Sequence, residues 1–354
     1  MFPIRATWQS RGRLTGANRG YTQPVEGRAL RFVSPRSVEI QRVEVGPPGP
    51  GEVLLRTHWS GVSGGTELLA YRGELDESLE LDETLPSLEG TFRYPFAYGY
   101  SCVGEVERSG TDGPAEGSTV FAFHPHQDVF TVGMEDVVAV EGVDPRVATL
   151  FPLVETALQV SLDAGPRLEE PVVVMGLGAV GVLTASLLQR AGAQVLGVEP
   201  RRDRRAIARE FGLPVADASA VRDEVAARTS GAGVPLVVDA SGSPSALAGA
   251  LDLLALEGEV LVCSWYGTKE VRLPLGGAFH RRRLSIRSTQ VSTIPARLAA
   301  SWDRSRRRRT AMRLMNDLPL KLLATHELPF ERAGDAYAAL DRRDEGVVHV
   351  ALRY

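Results

Sequence analysis

The spacing of apolar positions changes twice along this chain. From residue 28 to about residue 140, apolar and polar residues alternate in short runs: Ala29–Val33, Val38–Val45, Val53–Thr57, Val103–Arg108, Thr119–Phe123 and Val137–Val140. A period of two turns one face of each run inward, as a strand does. Ser34-Pro35 and Gly46–Gly51 supply turns between runs. Short strands with Gly/Pro punctuation predict a small, irregular β-barrel. Leu150–Ala164 then has helical spacing, and a second regime begins. Val172–Met175, Gln194–Val198, Leu236–Asp239 and Glu259–Ser264 are compact apolar runs, with Leu284–Ser288 as the last of the set. Helical spacing separates them at Val182–Arg190, around Arg204–Phe211 and at Ser245–Leu256. Strands that alternate with helices predict an α/β doubly wound parallel sheet. From Val291 the pattern reverts: an Arg-rich helix, a strand near Ala324–Leu328, a helix at Phe330–Asp341 and a closing strand at Val347–Leu352. The predicted organisation is an extension over residues 1–27, one domain from 28–150 with 293–354, and a second domain, 151–292, inserted in it.

The most informative stretch is PVVVMGLGAVGVLTASLLQRAGAQVLGVEPRRD, Pro171–Asp203. Its order is strand, glycine turn, helix, strand, acid. Gly176 allows a tight turn, Gly178 lets a pyrophosphate approach the backbone, and Gly181 lets the helix pack close to the strand. The free N–H groups of Ala179, Val180 and Gly181 at the helix start face the phosphates. Glu199 follows Gly176 by roughly the 20 positions at which an acid meets the adenosine ribose. The uncharged run Val172–Gln189 also has about the minimum length of a membrane span, ~17–25 residues. Its glycines and amphipathic second half argue against that reading.

Composition bounds the rest. The chain has 354 residues, enough for two domains, with 44% hydrophobic and 24% charged positions, as in a soluble globular protein. Net charge is −4, so no global basic field recruits nucleic acid or an anionic membrane. Its two cysteines, Cys102 and Cys263, lie in apolar runs and read as buried free thiols, which suits a reducing cytoplasm. The extension carries Arg5, Arg11, Arg13 and Arg19 but no apolar core, so it is not a secretory signal. Glu74–Glu83 is strongly acidic and aperiodic, an exposed loop or part of a lid.

These parts together resemble the medium-chain dehydrogenase/reductase superfamily. RALRFVSPRSVEIQRVEVGPPGPGEVLLR is similar to its first strands, and THELPFERAGDAYAALDRRDEGVVHVAL to its C-terminal return. SGGTELLAYRG, YPFAYGYSCVGEV, VFAFHPHQ and FHRRRLSIRSTQVSTIP resemble the branch that includes bacteriochlorophyllide hydroxyethyl dehydrogenase. The resemblance implies a Rossmann sheet inserted in a GroES-like barrel. It also implies a nicotinamide cofactor, a small-molecule substrate, and a homodimer or homotetramer. The nicotinamide would lie where Ser241-Gly242-Ser243 and Cys263-Ser264-Trp265-Tyr266-Gly267 end their strands.

The departures from the family pattern bear on chemistry. Where zinc alcohol dehydrogenases have Cys-Gly-Thr/Ser-Asp, this chain has Gly64-Gly65-Thr66-Glu67; where they have Gly-His-Glu, it has Gly99-Tyr100-Ser101. Gly64 thus replaces a thiolate ligand, Tyr100 a histidine ligand and Ser101 a glutamate. Glu155 stands near the third ligand region, but one carboxylate does not make a site, since catalytic zinc takes about three protein ligands. His124 and His126 are spaced to share one face of a strand, without a third ligand. No catalytic zinc is expected. Hydrogen-bond donors must then stabilise the substrate oxygen. Thr66 matches the family's relay hydroxyl, Tyr100 offers an O–H, and Glu67 or His126 would pass the proton to solvent.

The expected cofactor is NAD, because Glu199 repels the 2′-phosphate of NADP. Arg201 or Arg202 would favour NADP instead. Arg281–Arg283 and Arg306–Arg309 read as solvated or inter-subunit cations, or as a clamp for an anionic substrate. The reading is a zinc-independent oxidoreductase that interconverts a secondary alcohol and a ketone. A zinc-free double-bond reductase and a non-catalytic dinucleotide-binding protein are the alternatives.

Overall fold

The computed structural model describes residues 23–110 and 113–354. The predicted extension lies largely outside the described residues; the first strand begins at Val25, within its last three residues.

Strands β1 (Val25–Ser34) and β2 (Ser37–Val45) form an antiparallel hairpin. The barrel sheet starts with β3 (Glu52–Val62), followed by helix α1 (Thr66–Arg72), β4 (Cys102–Ser109), β5 (Thr119–Ala122), β6 (Val129–Gly133) and β7 (Val137–Ala139). Helices α2 (Pro145–Ala148) and α3 (Phe151–Ala164) lead out of it. The parallel sheet contains β8 (Pro171–Met175), β9 (Gln194–Val198), β10 (Val215–Ala216), β11 (Val234–Asp239), β12 (Leu254–Val262) and β13 (Ser285–Ser288). Its connecting helices are α4 (Ala179–Arg190), α5 (Arg202–Glu210), α6 (Val221–Thr229) and α7 (Pro244–Ala250). Helix α8 (Arg304–Asp317), β14 (His326–Pro329), α9 (Ala333–Arg342) and β15 (Val350–Arg353) close the chain. β15 returns to the barrel, antiparallel to β3, with β14 parallel beside it.

The parallel sheet has the order β10-β9-β8-β11-β12-β13. The first connection leaves β8 for β9 on one side, and β11 starts on the other. The crevice between β8 and β11 is therefore the switch point where such sheets bind ligands. Side chains of β8 go alternately to opposite faces. Val172 and Val174 join a core with α3, α4 and α8, while Val173 and Met175 join one with α6 and α7. Both faces are covered, which explains a strand that is apolar without alternation.

One predicted element differs, and some elements were not predicted. The helix expected over Ser245–Leu256 ends at Ala250, because Leu254 already pairs with Val234 as the start of β12. The helices α1 and α6 and the strand β6 carry no strong periodic signal and were not expected. The acidic stretch Glu74–Glu83 is irregular and mostly exposed, as expected of a loop, and is pinned by buried Leu75 and Leu81. No helix among the described residues is long and apolar enough to cross a membrane.

Candidate active site

The glycine turn after β8 abuts the turn after β11. Gly176 has φ +89°, and a Cβ there would lie 2.6 Å from the Cα of Ser241. Left-handed backbone and close approach both demand glycine. A Cβ on Gly181 would lie 1.8 Å from the Gly176 carbonyl oxygen, so α4 can start directly over the strand end only with glycine there. Gly178 is the N-cap of α4 and supplies no capping side chain. The first-turn N–H groups, those of Ala179, Val180 and Gly181, thus lack a side-chain cap, which suits an incoming phosphate.

Glu199 directly follows β9 and is 5% exposed. One carboxylate oxygen accepts the N–H of Leu177 at 2.9 Å and the other that of Arg201 at 3.0 Å. The acid thereby fastens the glycine turn to the second strand. A carboxylate has about four acceptor positions, so capacity for ribose hydroxyls remains.

Arg201, the alternative that would have met a 2′-phosphate, is committed elsewhere. Its guanidinium donates to Asp203 and to the carbonyl oxygens of Arg343 and Asp344. The same Arg201 contact holds the Asp203 carboxyl down at about 2. Arg202 is exposed. The cation beside the crevice is one that sequence reasoning missed, Arg204. Its Nη1 lies 3.3 Å from where a Gly178 Cβ would stand. Its Nε is buried and has no hydrogen-bond partner among the described residues. Burial pulls its pKa down, while Glu199 acts to raise it. An orphaned guanidinium N–H over the phosphate turn and an uncapped helix start fit a dinucleotide.

On the far side of the crevice, Ser241 donates to Asp239 at 2.6 Å. The Ser264 hydroxyl accepts the Gly242 N–H at 2.9 Å, and Tyr266 donates to Asp239 at 2.8 Å. These bonds brace the two strand ends. Trp265 is 41% exposed and meets Phe92 edge-on at 5.9 Å between ring centroids. Phe92, Tyr98 and Tyr100 continue the contact at 5.1 and 6.2 Å, so a row of rings runs from the sheet loop to the barrel.

The row ends in a cluster of hydroxyls. The side chains of Ser63 and Thr66 adjoin the Tyr100 hydroxyl and act to lower its pKa. Burial, and then the nearby charge of Glu67, push its phenol up to about 12, so it keeps its proton as a donor. Ser63 was not anticipated. Thr66 and Glu67 are the first two residues of α1, whose N-cap is Gly65. Glu67 points away from solvent, with no exposed surface, and three donors converge on its carboxylate. The Ser63 N–H lies at 2.8 Å, His126 Nε2 at 2.9 Å and the Tyr337 hydroxyl at 2.5 Å. His126 is equally buried, and its Nδ1 meets the Ser60 hydroxyl at 2.7 Å, which in turn meets that of Tyr354 at 2.9 Å. Neither Glu67 nor His126 reaches solvent, where the sequence reading had one of them delivering a proton.

The two neighbouring histidines do not share a strand face. β5 ends at Ala122; His124 stacks on Phe130 at 3.7 Å while His126 turns to Glu67. The zinc positions do not fit a metal. A Cβ on Gly64 would come nearest the apolar tip of Leu340, at 3.5 Å. Ser101 donates to the Thr149 carbonyl at 2.7 Å, and Glu155 is ion-paired with Arg307 at 3.0 Å. Among the described residues, no three His, Cys, Asp or Glu side chains are grouped to hold a metal ion.

The Arg clusters are structural in part. Arg307 is buried against Glu155 and Gln159, and Arg308 lies over Phe123 and pairs with Asp136. Arg283 pairs with Glu257 at the surface.

Comparison with known proteins agrees with this architecture. Residues 179–307 match the model of the zinc-binding dehydrogenase family. The chain is 28% identical to 2-desacetyl-2-hydroxyethyl bacteriochlorophyllide A dehydrogenase of Rhodobacter capsulatus, over 88% of this chain and 94% of that one. Its fold is similar to that of 2R,3R-butanediol dehydrogenase from Bacillus subtilis, with TM-score 0.76, 20% identity, and 93% and 99% of the two chains covered. It is also similar to a putative zinc-binding dehydrogenase from Sinorhizobium meliloti bound to NADP, with TM-score 0.71, 18% identity, and 93% and 100% covered. The sheet order, the glycine turn, the barrel return and these matches together make the chain similar to the zinc-type alcohol-dehydrogenase-like members of the medium-chain dehydrogenase/reductase superfamily.

Proposed function

We propose that this protein is an oxidoreductase that uses a nicotinamide dinucleotide to interconvert a secondary alcohol and a ketone on a small or medium-sized metabolite, without catalytic zinc. The observation that carries the reading is the hydroxyl of Tyr100, at a position where a zinc ligand would stand, with those of Thr66 and Ser63 beside it. Gly176–Gly181, Glu199 and Arg204 would hold the dinucleotide, with Ser241, Ser264 and Trp265 around its nicotinamide end. Glu199 at the ribose position favours NAD over NADP.

A bound nicotinamide supplies hydride chemistry. The chain's own task is the oxygen. In oxidation, a bound nicotinamide would take the carbinol hydride, while Tyr100 and Thr66 would hold the alcohol oxygen as its proton passes to solvent. In reduction, Tyr100 and Thr66 donate hydrogen bonds to the carbonyl oxygen as negative charge develops on it. Tyr100 suits this role because it stays protonated at physiological pH.

The test follows NADH oxidation against panels of ketones and enones with wild type, Tyr100→Phe and Thr66→Val. Ketone turnover that falls tenfold or more in at least one variant, while NADH affinity changes less than about threefold, is expected. Turnover of enones alone would assign a double-bond reductase. Variants that match wild type on ketones would remove both hydroxyls from the chemistry.

A further inference from the structure

The hydroxyl cluster is assembled from two separate segments. Ser63 and Thr66 lie at the end of β3 and the start of α1, and Tyr100 lies just before β4. Something must set the distance between them. His126 is the side chain that touches both. Through Nε2 it bonds Glu67, which accepts the Ser63 N–H and begins α1 beside Thr66. Its ring also fills the space beside Gly99: a Cβ there would lie 2.6 Å from His126 Cδ2 and 2.8 Å from Nε2. Gly99 has φ +116°, a conformation that favours glycine, and it is the residue that presents Tyr100.

From this geometry we infer that His126 is a positioning residue that fixes Tyr100 against Thr66 and Ser63, acting through Glu67 on one side and Gly99 on the other. The inference rests on the proposed role of those hydroxyls in the site. His126 is itself held from behind by Ser60, and Glu67 by Tyr337 from α9. Both ring nitrogens and both carboxylate oxygens have partners, and neither side chain is exposed. The network is therefore built to hold shape. It accounts for a glutamate, a histidine and a tyrosine inside the barrel, where an unsatisfied network would be costly. It also accounts for Gly99, since a larger residue would displace the imidazole.

The two bonds of the imidazole can be separated. His126→Gln reaches toward Glu67 and gives up Ser60; His126→Asn keeps reach toward Ser60 and gives up Glu67. Position can be read without turnover by labelling the protein with 3-fluorotyrosine and assigning the Tyr100 fluorine signal by its loss in Tyr100→Phe. The expected result is that His126→Asn shifts or splits the Tyr100 signal, His126→Gln restores it toward wild type, and NADH affinity changes less than about threefold in both. If His126→Asn does not fold, Ser60→Ala, which only loosens the ring, is expected to shift the signal in the same direction. A Tyr100 signal unchanged in whichever of these variants folds overturns the inference. On any ketone that wild type reduces, His126→Asn and Tyr100→Phe should be non-additive in kcat, and additive losses would also overturn it. Failure of the hydroxyl chemistry would instead appear as full turnover in Tyr100→Phe, whatever the fluorine signal does.

Discussion

The carboxylate of Glu155 and the guanidinium of Arg307 form an ion pair at 3.0 Å inside the protein, each side chain about 4% exposed or less. Arg307 also donates to Gln159 at 2.6 Å, and Gln159 in turn to Asp163 at 3.0 Å. The carboxylate nearest the family's third ligand region is thus neutralised by α8, which packs on α3. Removal of one partner leaves the other charge buried and unpaired, at about 3–5 kcal/mol. Arg307→Ala should lower stability by that order in urea unfolding, with NADH affinity little changed. A loss below about 1 kcal/mol would mean that water or Gln159 replaces the guanidinium.

The same pair bears on metal. With Gly64, Tyr100 and Ser101 at the other ligand positions, purified protein is expected to carry no stoichiometric zinc, and turnover should survive prolonged chelation. One zinc per chain by elemental analysis, retained against chelator, would contradict this.

At the dinucleotide crevice, Arg204→Ala should weaken NADH binding about tenfold, since a charge-assisted hydrogen bond contributes on the order of 1.5–3 kcal/mol. Arg202→Ala should have little effect. NADH should bind more tightly than NADPH. Titration of nicotinamide fluorescence measures all three, and a preference for NADPH that Arg204→Ala abolishes would reverse the assigned specificity.

Acid should destabilise the fold through buried histidines. His349 is 2% exposed, and burial lowers its pKa from 6.5 to about 4, with Arg146 adding to the effect. His124 is lowered to about 4 as well, again mainly by burial. Between these values the unfolded chain binds the proton and the folded chain does not. Stability is therefore full above pH 6.5 and falls as pH drops toward 4, by up to about 3 kcal/mol for His349. Urea midpoints at pH 7, 5.5 and 4.5 should fall less steeply in His349→Gln. Parallel slopes would show that His349 makes no contribution.

The legible and illegible parts of this chain divide along a physical line. The strand-turn-helix-strand unit around Gly176 is local: every residue that defines it lies within the stretch, and the structure reproduces it. Helix α1 is short, bounded by Gly65 and Gly73, and lacks a full amphipathic period, although it carries Thr66 and Glu67. Leu254–Leu256 continues the helical spacing, yet pairing of Leu254 with Val234 makes it strand, a tertiary choice that overrides local pattern. Arg204 was hidden because nearness in sequence to Glu199 singles out Arg201 and Arg202. The helical turn that starts at Arg202 brings Arg204 to the glycines instead. The pairing of Glu67 with His126 and Tyr337 joins residues far apart in the chain, and no spacing rule reports it.

Arg201 ties the turn after β9 to the carbonyl oxygens of Arg343 and Asp344, and Asp203 accepts the N–H of Gly346. This fastening makes the end of the crevice near Glu199 and the loop that precedes β15 a single mechanical unit. Any attempt to re-engineer coenzyme choice by exchanging Arg201 or Asp203 would also unfasten the barrel's returning strand. The shape of the crevice end and the rigidity of the barrel's return are coupled there through Arg201 and Asp203.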